Sequence, residues 1–183
     1  MKKIVLLGDS IRQIGYGKRV AELLTAEGHE VWQPEDNCRY AKYTLCEIDN
    51  WKNQIKGADV VHWNNGLWDS CDRFHDGPFT ELDEYVKNMV RIARILKTYA
   101  KTVIFATTTP VKPEISSNST VVVDVMNRAV VPALQAEGVL INDLFGLVWP
   151  NLNKYIGNDL IHLSETGVEA CAQQVAASVR AAL

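Results

Sequence analysis

Five short apolar runs, separated by longer amphipathic stretches, limit most tightly what this chain can fold into. The runs are Ile4 to Leu7, His29 to Gln33, Ala58 to Trp63, Thr102 to Thr107 and Gly138 to Asn142. Between them, apolar residues recur three or four positions apart. Val20, Leu23 and Leu24 do so before Gly28; Leu45, Ile48, Trp51 and Ile55 before Gly57; and Leu82, Tyr85, Val86, Met89, Ile92, Ala93 and Leu96 before Tyr99. That spacing predicts helices over Ile14 to Glu27, Thr44 to Lys56 and Thr80 to Tyr99. Further helices are expected over Thr120 to Glu137 and Ser164 to Leu183, with Leu144 to Tyr155 helical or irregular. Parallel neighbouring strands need a crossover, usually a helix, so the alternation predicts a five-stranded parallel sheet with helices on both faces. Ile4-Val5-Leu6-Leu7 is continuously apolar and ends at Gly8, which suits a central strand buried on both faces.

The 183 residues, 47% of them hydrophobic, suit one domain spanning 1–183 with a proper core. A formal charge of −3 and no basic run argue against nucleic acid as a partner. No apolar stretch approaches the roughly 18 residues of a membrane span. The apolar run before Gly8 is too short for a signal-peptide core, so the expected compartment is the cytoplasm. Cys38, Cys46, Cys71 and Cys171 are widely spaced without a C-x-x-C, which fits free thiols in a reducing environment. No cluster has metal-ligand spacing, and neither G-x-G-x-x-G nor a P-loop is present, so no metal or cofactor is expected.

Open α/β sheets bind ligands beyond the carboxyl ends of their strands. Asp9 and Ser10 follow the first strand directly and are placed either for chemistry or simply to cap the next helix. Near the other end of the chain, Asp159 and His162 stand three residues apart. One backbone turn can bring that carboxylate to one ring nitrogen and leave the other to face a hydroxyl, as a catalytic histidine requires. A serine after the first strand and a D-x-x-H before the last helix can meet at one sheet edge, in the order Ser, Asp, His.

These two blocks carry a family resemblance. Gly8-Asp9-Ser10-Ile11 resembles the G-D-S-[LI] block of the GDSL, or SGNH, hydrolases, and Asp159-Leu160-Ile161-His162 resembles their D-x-x-H block. The resemblance implies a flavodoxin-like three-layer α/β/α sandwich and ester hydrolysis through an acyl-serine. It makes Ser10 the nucleophile, His162 the general base and then acid, and Asp159 its orienting partner. No G-x-S-x-G elbow is present, which disfavours the larger α/β-hydrolase family.

The middle blocks depart from the family pattern. Its oxyanion hole combines the serine N–H with a glycine N–H after the second strand and an asparagine side chain after the third. After the second strand this chain reads Asp36-Asn37-Cys38-Arg39, so the main-chain donor falls to Cys38 or Arg39. After the third, Gly66-Leu67-Trp68-Asp69 aligns with G-x-N-D and puts Trp68 where asparagine is expected. Asn65, or else Asn64, is then the amide expected to complete the hole, unless both only form a turn. Asp9, Gly66 and Trp68 are the expected pocket residues, with Trp63, Phe74, His75 and Thr107 to Pro110 at the same edge. His62, inside an apolar strand, reads as a core histidine.

The function these observations suggest is hydrolysis of a small O-acyl ester, an acetyl ester on a carbohydrate being preferred because tryptophans suit sugar faces. A lysophospholipase or acyl-thioesterase is the rival within the same class. A non-catalytic flavodoxin-like module, holding a phosphate or an ion with Asp9 and Ser10, is the rival outside it.

Overall fold

The computed structural model describes residues 1–183. Its five strands are β1 (Lys3–Leu7), β2 (Glu30–Trp32), β3 (Ala58–Trp63), β4 (Ala100–Ala106) and β5 (Leu140–Asn142). They form one parallel sheet in the order β2-β1-β3-β4-β5. Seven helices connect or follow them: α1 (Gly17–Ala26), α2 (Ala41–Ile55), α3 (Leu82–Tyr99), α4 (Thr120–Ala136), α5 (Leu144–Val148), α6 (Leu152–Tyr155) and α7 (Glu165–Ala181). The expected doubly covered parallel sheet is what the chain forms. No helix is long and apolar enough to cross a membrane.

The period-two alternation of the strands divides the core in two. Ile4 and Leu6 of β1, Val60 of β3, and Ile104 and Ala106 of β4 pack with α1, α5 and α7. Val5, Leu7, Val61, Trp63, Val103 and Phe105 pack with α2, α3 and α4 on the other face. Buried on both sides, β1 lies between β2 and β3 and delivers its carboxyl end to the middle of the molecule.

Several element boundaries differ from the sequence reading, each for a local reason. The chain enters α1 through a π-helical turn, Ile11–Tyr16, whose Gly15 leaves helical geometry (φ −103°, ψ −116°). Helix α2 starts three residues before the expected Thr44, because the Asp69 carboxylate accepts the Ala41 N–H at 3.0 Å. That cap comes from a distant loop and has no signature beside the helix. β4 starts at Ala100, two residues early, where Ala100 pairs with Ala58 of β3. The Leu144 to Tyr155 segment breaks into α5, a 3₁₀ turn at Trp149–Asn151 containing Pro150, and α6.

Candidate active site

Ser10 directly follows the β1–Gly8–Asp9 segment, at the start of the π-helical turn. Position 8 has room only for glycine, since a Cβ there would overlap Asn64 Oδ1 and the Arg12 side chain. Ser10 makes no side-chain cap bond to its helix. Its hydroxyl lies 2.9 Å from His162 Nε2, across 152 residues of sequence. His162 Nδ1 is 2.7 Å from Asp159 Oδ2. With Nδ1–H donated to Asp159, Nε2 is left to accept the Ser10 proton.

The loop that presents His162 is pinned locally. Asp159 Oδ1 accepts the N–H groups of Ile161 (3.2 Å) and His162 (3.0 Å), while Gly157 N–H donates to His162 O at 2.8 Å. Lys112 N–H, from the loop after β4, donates to Leu160 O at 2.8 Å. Leu160 itself holds a left-handed φ of 72°, a conformation that costs a non-glycine residue about 1–2 kcal/mol and that this set of bonds sustains. Partial burial pushes the Asp159 carboxyl upward, but the hydrogen bonds from the His162 ring, the His162 N–H and the Ile161 N–H outweigh it and hold it below the ordinary aspartate value. It therefore stays anionic behind the imidazole at neutral pH.

Ser10 and His162 open onto a cavity of about 430 Å³, within the range of small-molecule sites. Leu67, Trp68, Ile115 and Ile161 supply apolar walls, and Asn37 and Arg73 supply polar ones. Of the expected pocket residues, Trp68 lines it. Asp9 and Gly66 do not; both are buried beneath it, and Gly66 is wedged against Thr108 and Tyr85. Trp63 is in the core against Phe105 and donates Nε1–H to Asn65. Phe74 and His75 lie in an exposed part of the β3–α3 connection, away from the cavity wall. Thr107 and Thr108 bond to Asp143 and to the Asn65 carbonyl instead. His62 is a core residue, fully buried edge-on to Tyr16, and the loss of hydration lowers its pKa to about 3.

None of the four residues expected to complete an oxyanion hole beside Ser10 faces this cavity with a free donor. Asn65 has no solvent exposure. Its NH₂ donates to Arg39 O (2.7 Å), and its Oδ1 accepts from Thr44 and Trp63. Asn64 links Tyr16 to Asp9, accepting the tyrosine hydroxyl and donating to Asp9 Oδ1 at 2.8 Å. Cys38 N–H goes to Gly8 O at 3.1 Å, and Arg39 N–H to Asn37 Oδ1 at 2.8 Å. The reason is shared: the polar ends of β2 and β3 turn under the site and brace it. Arg39 does adopt a left-handed φ of 47°, the conformation a glycine would take at low cost.

Two bracing residues gave no sequence signal. Arg12, one turn after Gly8, is 1% exposed. Its guanidinium donates to the carbonyls of Gly8 (3.1 Å), Pro34 (2.7 Å) and Asp36 (2.6 Å). It thereby ties the β2–α2 loop to the serine segment. Asn37, on that loop, reaches the cavity wall. Neither stands in a recognisable motif, although an arginine beside an otherwise apolar helix face is the pattern that could have exposed the first.

No protein-family model and no curated protein sequence matches the chain. Solved structures do. An acetyl xylan esterase, AlAXEase, superposes with a TM-score of 0.80 at 18% identity, over 97% of this chain and 99% of that one. A lipase/acylhydrolase from Enterococcus faecalis gives 0.78 at 20% identity, over 99% and 96%. Axe2, an acetylxylan esterase from Geobacillus stearothermophilus, gives 0.78 at 19% identity, over 95% and 92%. The chain has the fold of these esterases.

Within this fold, the carboxyl group of Asp69 is a buried support. Burial is the main cause that pushes it up to about 7, and nearby Asp9 adds to the rise, while bonds from Thr80 and the Ala41 N–H oppose it. The folded protein therefore holds Asp69 protonated at pH values where the unfolded chain ionises it. For an acid raised in this way, the favourable contribution is complete below about pH 4 and disappears as pH climbs to about 7. An asparagine in its place, which can still accept the Ala41 N–H, escapes that loss. Urea midpoints of Asp69→Asn and the parent should diverge in favour of the variant between pH 4 and 7, then run parallel. A constant difference across this interval would count against the raised carboxyl.

Proposed function

We propose that this protein is a serine ester hydrolase of the SGNH/GDSL type. We take its substrate to be a small O-acyl ester, with an acetyl group on a carbohydrate as the preferred case. The observation that carries the reading is the hydrogen-bonded series Ser10–His162–Asp159, 2.9 Å and 2.7 Å, opening on the cavity. The esterase fold and the two sequence blocks support it from independent directions.

In this reading the Ser10 hydroxyl attacks the ester carbonyl as its proton passes to His162 Nε2, and Asp159 stabilises the imidazolium. In the same reading the Ser10 N–H supplies the first hydrogen bond to the developing oxyanion. His162 then protonates the departing alkoxide, and the alcohol leaves. Water, deprotonated by the same imidazole, releases the acid and restores Ser10. The modest cavity suits a short acyl group, and Trp68 offers an aromatic wall to a sugar ring.

A fluorophosphonate probe tests the reading directly. The expected result is one phosphonyl adduct on Ser10 by mass spectrometry, absent from Ser10→Ala. Turnover of acetylated sugars should exceed that of long-chain or thioester substrates. Folded protein that takes up no label at any pH would overturn the proposal and favour a binding module.

A further inference from the structure

The proposed hydrolase needs an amide donor beside the Ser10 N–H, and the sequence offers Trp68 where its resemblance expects asparagine. We propose that Asn37 supplies that donor, its NH₂ stabilising the oxyanion formed on the substrate carbonyl. This deepens the hydrolase reading and rests on it.

Every other side-chain amide in or beside the cavity is already engaged. Asn64 and Asn65 are committed beneath the floor, as described. Of the three amides that line the cavity with Ser10 and His162, Gln13 donates to Glu35 O at 2.6 Å. Asn118 donates to Leu67 O at 2.8 Å and to Ser70 Oγ, and its Oδ1 accepts from Ser117. Asn37 alone has an NH₂ with no protein acceptor.

Its orientation is also decided. Oδ1 accepts the Arg39 N–H at 2.8 Å, so the opposite corner of the amide is the NH₂ and is left for a ligand. The supporting loop is stiff. The Asn37 N–H is taken by Asp36 Oδ1 (2.8 Å), Asp36 Oδ2 accepts the Tyr43 hydroxyl (2.5 Å), and the Asp36 carbonyl is held by Arg12. A donor fixed before the charge appears is the arrangement that makes oxyanion stabilisation effective. The chain thus meets the requirement for a side-chain amide from the loop after β2, instead of from the one after β3.

Asn37→Ala and Asn37→Asp test this together. The aspartate keeps an acceptor for the Arg39 N–H, and with it the loop, but replaces the donor by an anionic oxygen. Both variants should lose about 10²–10³ in kcat on an acetyl ester, with KM within a few-fold of the parent; the pH profile should be unchanged in Asn37→Ala, while the added carboxylate of Asn37→Asp shifts its pH dependence upward. Circular dichroism at the assay temperature should match the parent. Full activity in Asn37→Asp, or kcat within threefold of the parent in Asn37→Ala, would overturn the assignment. Failure of the hydrolase reading looks different: the parent itself then hydrolyses no ester and takes no fluorophosphonate on Ser10, and the assignment falls with it.

Discussion

His162→Ala should lower kcat on an acetyl ester nearly as far as Ser10→Ala, on the order of 10⁴–10⁶-fold, and the double variant should be little worse than either. On the proposed hydrolase reading, the expectation follows from the single path the proton can take. Ser10 Oγ has His162 Nε2 at 2.9 Å, and no other side chain in the structure is hydrogen-bonded to it. Without the imidazole the hydroxyl stays protonated and is a poor nucleophile; without the hydroxyl the imidazole has nothing to activate. Asp159→Asn should be milder. An asparagine NH₂ facing Nδ1 selects the wrong tautomer, which costs roughly 10⁴-fold where the aspartate is sealed from water. The Asp159 side chain is 54% exposed, so water can occupy its place and restore part of the loss. Steady-state kinetics of the four variants decides the point. A His162→Ala loss below about tenfold would mean that another group takes the proton.

Arg12→Met should carry the largest stability loss of the substitutions considered, about 3 kcal/mol. Methionine fills much of the buried volume but donates nothing. The Pro34 and Asp36 carbonyls lose their guanidinium donor, whereas Gly8 O keeps the Cys38 N–H. Leaving a buried acceptor unpaired costs about 1–3 kcal/mol each, which sets the figure. A second effect runs the same way: the guanidinium helps offset the burial that raises the Asp9 carboxyl, and methionine does not. Arg12→Lys should recover only part of the loss, because one ammonium cannot reach three diverging carbonyls. Urea unfolding at constant m-value gives the measurement. A shift under 1 kcal/mol for Arg12→Met would show that water replaces the guanidinium.

How much of this was legible in the sequence depends on how local each signal is. Ile4 to Leu7, ended by Gly8, carries its own burial pattern, and Asp159 with His162 carries its own spacing. The sheet and the three aligned side chains could therefore be read from short stretches. The rest depends on partners far away in sequence. Asn64 and Asn65 look like free amides at a strand end; only the positions of Tyr16, Thr44 and Arg39 commit them elsewhere. The start of α2 depends on Asp69, 28 residues beyond it. Arg12 looks like a helix-surface residue until the β2–α2 loop closes over it. Asn37 carries no motif, and its accessibility follows from where the Arg39 N–H turns its oxygen.

The serine and the imidazole are contributed by segments 152 residues apart, one following the first strand and the other preceding the last helix. On the proposed hydrolase reading, a chain emerging from the ribosome can complete β1 to β4 and still be chemically silent, because the imidazole of His162 has not yet been translated. The proposed hydrolysis would then report on docking of the late segment against the early one, and a proteolytic nick that releases residues after Ile156 should extinguish turnover while much of the sheet persists.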